Sequence, residues 1–209
     1  MSGFNWVLDE SKFLSTKEVR RLLRSVRRGK DAADATGNKV PVRDNFVVEL
    51  ALATGLRVRE IAGLKRGDVL IDDGRSSLIV RNGKGGKTRS VRLGDAFVRR
   101  VRAYLEWKER VGEPVGPESP LIYSSVRRGH ISTRALQKAF KRCAARAGIR
   151  RGCSIHSLRH TYACHPYKAS NYNLRLVQKQ LGHSTVRTTE VYADVMNPDV
   201  TKALSRLYV

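Results

Sequence analysis

The chain has 209 residues, 41% of them hydrophobic, which is enough to bury a core in one large or two small globular domains and excludes a disordered chain. Its 41 Lys and Arg residues against 19 Asp and Glu give a formal charge of +22, which would oppose compaction unless a polyanionic partner neutralised it. The charge therefore predicts a nucleic-acid partner, with an anionic membrane surface or a ribosome-type scaffold as alternatives.

The first part of the chain has the periodicity and the capping signals of three helices. Residues 15–18 form the capping-box pattern S-x-x-E, which opens a helix ending near Arg28. Pro41 suits the first turn of a second helix, and Gly55 is expected to stop that helix. A short third helix is expected over residues 58–64.

The spacing of apolar residues then changes to one that is typical of a small sheet. The segments 69–71, 78–80 and 88–93 are apolar or alternate between apolar and polar residues. An Asp-Asp-Gly turn at 72–74 and a glycine-rich turn at 82–86 separate them. This pattern predicts a three-stranded antiparallel sheet.

The second half of the chain is again helical. Proline and glycine place a loop at 112–120, between a helix over about 95–109 and a basic helix that Ser132 caps. Pro166 lies inside a later helix and is expected to kink or end it. The predicted fold class is mainly α with one small three-stranded antiparallel sheet. The remaining helices are expected near 156–168, 173–182, 185–194 and 198–207.

The cysteines argue against a disulfide framework. Cys143, Cys153 and Cys164 form no CxxC pair and leave an odd number, which is typical of a reducing cytoplasm. A zinc site that combines Cys153 and Cys164 with the neighbouring histidines is a minor alternative, because free cysteines are commonly buried. No stretch approaches the roughly 18 consecutive apolar residues of a membrane span, so none is predicted. We expect nucleic acid, and no membrane, as the partner.

Two arginines stand in settings that suit a phosphate. Arg57 follows a helix stop and precedes the next helix, where free N–H groups and the helix dipole attract anions. Arg159 lies three residues after His156, and residues three apart share one face of a helix. A guanidinium there would neutralise phosphate oxygens while the imidazole moves a proton. Taken singly, each is better explained as an ordinary solvated surface residue.

Further candidates are weak when they are taken alone. Lys84 and Lys87 lie in a glycine-rich turn that could approach a phosphate backbone closely, but the turn does not match a P-loop. His183 follows Gly182 at the joint between two expected helices. Tyr192 comes nine residues after His183 and would by itself be an ordinary half-buried tyrosine.

The ordered set Arg, Lys, His-x-x-Arg, His, Tyr resembles the tyrosine recombinase (phage integrase and Xer) family. The blocks that carry the resemblance are ATGLRVREIAGL (53–64), HSLRHTYA (156–163) and LGHSTVRTTEVYADV (181–195). The resemblance covers about residues 14–200 and implies the tyrosine recombinase catalytic-domain fold. It also implies a site-specific recombinase or integrase that cleaves and rejoins double-stranded DNA without ATP, a metal or another cofactor.

The resemblance assigns roles to these residues. Tyr192 would be the nucleophile that forms a 3′-phosphotyrosine, and Arg57 and Arg159 would clamp the scissile phosphate. Glu60, three residues after Arg57, matches an acidic position of the family and would orient an arginine.

The proton-transfer and hydrogen-bonding groups follow in the same way. His156 would act in proton transfer, and His183 would donate a hydrogen bond to the phosphate. Lys84 would be the general acid for the 5′-oxygen that leaves. Its neighbour Lys87 is a rival, since only the family register decides between the two lysines.

The resemblance also sets expectations for organisation. Residues 1–14 would be a leader and 15–209 a single catalytic domain, without the full N-terminal core-binding domain that many members carry. The apolar face of 198–208 would dock on a neighbouring protomer of a tetramer on DNA, with packing inside the chain as an equal alternative. We expect a cytoplasmic, nucleoid-associated protein.

Two other functions stay open at this point. A type IB topoisomerase-like enzyme would use the same chemistry to relax supercoils, although the spacing from LGHS to the tyrosine favours a recombinase. A catalytically silent DNA-binding regulator would keep the shape without the reaction, although all six catalytic-type residues are present.

Overall fold

The structure is a computed structural model that describes residues 12–34, 36–71, 75–81, 86, 88–149, 152–182 and 189. Within these residues, the mainly helical class and the three-stranded antiparallel sheet are both confirmed. The helices are α1 (Thr16–Asp34), α2 (Lys39–Thr54), α3 (Val58–Gly63), α4 (Asp95–Arg110), α5 (Thr133–Arg146), α6 (Ile155–Ala169) and α7 (Leu174–Leu181). The strands are β1 (Val69–Leu70), β2 (Ser77–Val80), β3 (Arg89–Arg92), β4 (Tyr123–Ser124) and β5 (Gly129–His130).

Helix α1 begins as predicted and ends later than predicted. The N–H of Ser15 donates to Glu18 Oε2 at 2.9 Å, and the N–H of Glu18 donates to Ser15 Oγ at 3.3 Å, which is the reciprocal capping box. The prediction ended this helix at Arg28, but α1 continues to Asp34. The extra turn is stabilised because Ala33, which continues the apolar face of the helix, is also buried.

Helix α2 lies at the centre of the helical layer. Asn38 caps it by accepting a hydrogen bond from the N–H of Val40, and Gly55 ends it in the left-handed region, with φ of 61°. Helices α1, α4, α5 and α6 all pack against α2. This explains why α2 has buried residues all around its circumference rather than along one stripe.

The three strands follow the predicted order and alternation. Val69 pairs with Leu78, and Leu78 pairs with Val91 on the other side of the central strand. Leu78, Val80 and Val91 are buried on the face of the sheet that joins the core. Strand β3 also contacts α7, which brings the sheet towards the later helices.

A second, two-stranded hairpin was not predicted. Strands β4 and β5 pair Tyr123 with His130, and two-residue strands are too short to show an alternation in the sequence. The ring nitrogen Nδ1 of His130 lies 3.0 Å from the carbonyl oxygen of Ala62. The hairpin is therefore attached to α3.

Helices α5, α6 and α7 agree with the predicted positions. Ser132 Oγ caps α5 by accepting a hydrogen bond from the N–H of Ala135. Pro166 was predicted to kink or end this helix, but α6 continues through Pro166 to Ala169. The proline removes only one main-chain hydrogen bond, and the buried Tyr167 keeps the last turn packed. Of the helices expected near 185–194 and 198–207, the described residues include only Thr189.

The predicted division after residue 14 stays a prediction. Of the expected leader, the structure describes residues 12–14. Leu14 is buried, and its N–H donates to Thr161 Oγ1 on α6 at 2.9 Å. This segment therefore packs on the helix that carries His156 and Arg159.

Candidate active site

Arg57 stands at the N-cap of α3, two residues after the left-handed Gly55. Its N–H donates to Glu60 Oε2 at 2.8 Å, and its guanidinium Nη1 donates to Glu60 Oε1 at 3.0 Å. The Arg57 side chain keeps 29% of its surface exposed. One side of the guanidinium is thus held by the first turn of the helix, and the group remains accessible at a helix N-terminus.

The carboxylate of Glu60 also binds Arg89, the first residue of β3. The two guanidinium nitrogens Nη1 and Nη2 of Arg89 donate to Oε1 and Oε2 at 2.8 and 2.9 Å. Burial raises the pKa of Glu60, but the hydrogen bonds and charges of Arg89 and Arg57 outweigh it and lower the pKa to about 2. Glu60 is therefore ionised at neutral pH, and the cluster has two positive groups to one negative group.

Arg159 connects the ends of two helices. It is 3% exposed, its Nη1 donates to the carbonyl of Gly55 at 2.6 Å, and its Nη2 donates to the carbonyl of Leu181 at 3.0 Å. Carbonyl oxygens at a helix C-terminus attract a cation but carry no formal charge. These two bonds consequently orient the guanidinium without cancelling its charge.

Close packing at Gly55 brings α6 to this junction. A β-carbon on Gly55 would overlap the ring of Tyr162, which lies three residues after Arg159 on α6, and the φ of 61° also favours glycine. Any larger residue would push α6 away from the start of α3. The spacing between Arg159 and Arg57 therefore depends on this glycine.

His156 is the second residue of α6 and is exposed. Its N–H donates to the capping hydroxyl of Ser154 at 3.2 Å, which sets the position of the first turn. Partial burial of the ring lowers the pKa of His156, and the charges of Arg159 and Arg57 lower it further. A neutral imidazole beside two guanidinium groups can accept a proton.

His160 lies directly behind His156 on α6. Their ring centroids are 4.7 Å apart in an edge-to-face arrangement, and His160 is 7% exposed. Burial, followed by the charges of His156 and Arg159, lowers the pKa of His160 to about 4. His160 is therefore neutral at neutral pH, and its ring packs edge-to-face against the ring of His156.

The structure brings part of the predicted residue set together. Arg57, Glu60, His156 and Arg159 surround the junction of α2, α3, α6 and α7. The other predicted residues lie outside the described part of the chain; they are Lys84, its rival Lys87, His183 and Tyr192.

Arg89 was not among the site residues predicted from the sequence. A signal was available, because Arg89 and the fully buried Val91 are two residues apart on one strand and so share its inward side. An arginine on the inward side of a strand needs a carboxylate partner. Glu60 supplies that partner.

The described ranges offer neither a metal cluster nor a membrane span. No three His, Cys, Asp or Glu side chains among those residues are grouped so that they could hold a metal ion. None of the helices within those ranges is both long enough and apolar enough to cross a membrane.

The sequence model of the phage integrase family matches residues 12–197. The chain belongs to the phage integrase family. This integrase-family chain is 38% identical over 188 residues to tyrosine recombinase XerD of Rhizobium meliloti (strain 1021), a match that covers 88% of the chain and 57% of the relative. It is 33% identical over 192 residues to tyrosine recombinase XerA of Thermococcus kodakarensis (strain ATCC BAA-918 / JCM 12380 / KOD1), covering 92% of the chain and 61% of the relative.

Solved structures agree with this family assignment. The XerH site-specific recombinase bound to its difH substrate in a pre-cleavage complex matches 97% of this chain and 56% of its own, with a TM-score of 0.73 and 25% identity. The catalytic domain of bacteriophage HP1 integrase shares the fold, with a TM-score of 0.61 and 23% identity over 93% of this chain and 94% of that domain. The integrase-family chain spans less than two thirds of XerD, XerA and XerH.

Proposed function

We propose that this chain is the catalytic domain, over residues 15–209, of a site-specific recombinase that cleaves and rejoins double-stranded DNA through a 3′-phosphotyrosine. The observation that carries the proposal is the convergence of Arg57, His156 and Arg159 at one helix junction. Leu181, whose carbonyl binds Arg159, stands two residues before His183 in the sequence. The names of the XerD and XerA relatives, both tyrosine recombinases, support the same activity.

The proposed reaction exchanges one phosphate ester for another. The phenolic oxygen of Tyr192 attacks the phosphorus, and the bond from phosphorus to the 5′-oxygen breaks. A tyrosine with an ordinary pKa of about 10 needs a base, and the neutral imidazole of His156 suits that task. Lys84, with Lys87 as its rival, would protonate the departing 5′-oxygen. Because the two esters are similar in energy, the step needs no ATP, and its reverse rejoins the strand.

The arginines would stabilise the charge that grows on the phosphate oxygens during the attack. Arg159 is suited to this because its two carbonyl bonds fix its orientation before DNA arrives. Arg57 adds a second guanidinium from the N-terminus of α3. His183 would complete the set with a hydrogen bond to the phosphate.

A basic groove beside His156 offers a path for the DNA backbone. Arg134, Lys138 and Lys141 are exposed on α5 and line this groove together with Ser154 and Ile155, at the start of α6. We expect DNA binding to weaken steeply with salt, because neutralised phosphates release counterions. The change Lys138→Gln should reduce the slope of log affinity against log salt by about 1 for every DNA sequence alike. An unchanged slope would exclude Lys138 from the DNA path.

Assembly and location follow as parts of the same proposal. The segment 198–208 would dock on a neighbouring protomer of a tetramer on DNA, in a cytoplasmic, nucleoid-associated enzyme. Sedimentation of the full chain and of a chain lacking 198–209, each with DNA, tests the assembly. Loss of the larger complex on truncation is expected, and an unchanged complex would mean that the segment packs within its own chain.

Covalent capture from a random pool of DNA tests the proposed chemistry and recovers the target sequence at the same time. A pool of duplexes with a randomised core and a nick beside it lets the 5′-hydroxyl fragment escape, which traps the protein–DNA adduct. Wild type should yield adducts after denaturation, and Tyr192→Phe should yield none. Sequencing of the trapped DNA then supplies the substrate for later assays.

The same substrate separates the alternative functions. Strand exchange between two duplexes that carry the recovered sequence is expected of a recombinase. Adduct formation with supercoil relaxation but no exchange would indicate the topoisomerase-like enzyme. Binding of DNA by wild type without any adduct would indicate a silent regulator and would overturn the proposal.

A further inference from the structure

We propose that Arg89 is a positioning residue for this site. It holds Glu60 so that Arg57 is presented to the phosphate, and it packs against the backbone at Gly182, the residue before His183. The inference rests on the proposed function. Arg89 itself is expected to touch neither the phosphate nor the tyrosine. Its effect on cleavage would pass through the residues that it holds.

The hydrogen-bond geometry fixes the plane of the Glu60 carboxylate. Arg89 Nη1 and Arg57 Nη1 both donate to Oε1, at 2.8 and 3.0 Å. Arg89 Nη2 and the main-chain N–H of Arg57 both donate to Oε2, at 2.9 and 2.8 Å. Each oxygen therefore has one donor from Arg89 and one from Arg57, so a rotation of the carboxylate would break bonds on both sides.

The charges of the cluster explain why two arginines are needed. With Arg89 in place, two guanidinium charges face the single charge of Glu60, and one positive charge remains for the phosphate. Without Arg89, Glu60 would pair with Arg57 alone and cancel the charge that the phosphate needs. The Glu60 side chain is 6% exposed, so water would screen this pairing only weakly.

The side chain of Arg89 also passes close over Gly182. A β-carbon on Gly182 would overlap Cδ of Arg89 and would lie 2.7 Å from Nε, so a larger residue there would displace the arginine side chain. Gly182 ends α7 in the left-handed region, with φ of 66°, and is followed in the sequence by His183. Arg89 thus contacts both the helix that begins at Arg57 and the end of the helix before His183.

A double-mutant cycle tests whether Arg89 acts through Arg57. Wild type, Arg89→Gln, Arg57→Lys and the double variant are compared by single-turnover cleavage of the captured nicked duplex, at saturating protein. We expect Arg89→Gln to slow cleavage about 30-fold and Arg57→Lys about 100-fold. The double variant should be no more than about 5-fold slower than Arg57→Lys, because the two residues act as one unit. DNA affinity should change less than about 3-fold, since a single arginine contributes little to the total phosphate contact.

Two further variants separate positioning from general stability. Arg89→Lys retains the charge but cannot donate to both carboxylate oxygens, so it should restore about a third of the lost rate on a logarithmic scale. Arg43→Gln is the matched control, because Arg43 is 12% exposed and pairs with the buried Glu113, much as Arg89 is 13% exposed and pairs with Glu60. The hydrogen bonds described for Glu60 come from Arg57 and Arg89 and do not involve Arg43 or Glu113. Arg43→Gln should lower the thermal midpoint while the cleavage rate stays within about 3-fold of wild type.

The outcomes of this experiment are distinct. Rate losses that multiply in the double variant, or a loss in Arg43→Gln as large as in Arg89→Gln, would overturn the positioning role while the recombinase chemistry stands. A wild-type protein that forms no adduct through Tyr192 would overturn the proposed function, and the positioning role with it.

Discussion

Two buried carboxylates, Glu60 and Asp44, each lie beside arginines, and yet their pKa values move in opposite directions. Both side chains are 6% exposed. At Asp44, burial outweighs the hydrogen bonds and charge of Arg142, whose own side chain is 49% exposed, and the pKa is raised. At Glu60, burial is outweighed by Arg89 and Arg57, and the pKa is lowered to about 2.

The difference lies in how the donors are held. Glu60 accepts a hydrogen bond from the main-chain N–H of Arg57, which cannot swing away, and from Arg89, which is itself mostly buried. Asp44 relies on the side-chain donors of Arg142, which lies on α5 and is 49% exposed to solvent. The pair Asp44–Arg142 therefore ties α2 to α5, whereas Glu60 keeps a fixed charge beside Arg57, the arginine proposed to bind the phosphate.

The largest expected effect is on the cleavage rate, when the charge of Glu60 is removed and compared with removal of the charge of Asp44. Glu60→Gln should slow single-turnover cleavage about 100-fold or more, because the amide repels one donor from each arginine and leaves Arg57 poorly oriented. Asp44→Asn removes an equally buried charge and should leave the rate within about 3-fold of wild type. Equal losses of cleavage rate in the two variants would mean that the rate reports overall stability. The difference between the two carboxylates would then have no bearing on cleavage.

Two glycines with similar backbone conformations allow a second comparison, this time of side-chain packing. Gly182 and Gly148 both have positive φ, 66° and 61°, but only Gly182 has a side chain, that of Arg89, where a β-carbon would stand. Gly148→Ala should cost about 1 kcal/mol of unfolding free energy from backbone strain alone. Gly182→Ala should cost about 3 kcal/mol and should also slow cleavage, because it displaces Arg89. Urea unfolding and the cleavage assay measure the two effects, and identical behaviour of the two alanine variants would contradict the contact with Arg89.

The smallest expected effect is a difference in acid sensitivity. Because the folded-state pKa of Glu60 lies below its ordinary value of 4.5, its stabilisation is complete above pH 4.5 and is lost as pH falls towards 2. The folded-state pKa of Asp44 is raised, so its protonation favours the folded state as pH falls. Between pH 5 and 3, the free-energy gap between wild type and Glu60→Gln should narrow, while wild type should gain stability relative to Asp44→Asn. Parallel stability curves for all three proteins would refute the opposite pKa directions.

Much of the fold could be predicted because its signals are local. The capping box at Ser15, the stop at Gly55 and the cap at Ser132 each act within one helical turn, and all three are present in the structure. The predicted end of α1 was wrong because the helix continues past the buried Ala33, and that burial depends on packing rather than on any local stop signal. The hairpin of β4 and β5 was missed because strands of two residues leave no period to read.

For the site, the sequence by itself determined which ionisable residues are present and in what order they occur along the chain. It placed Arg57 at a helix start and His156 and Arg159 on one helix, since both inferences need only neighbouring residues. Only the tertiary structure decided that Arg159 binds the carbonyls of Gly55 and Leu181, at the ends of two other helices. Only the tertiary structure paired Arg89 with Glu60, because those residues lie 29 positions apart in the chain, and a hydrogen bond between them depends on how a strand packs against a helix.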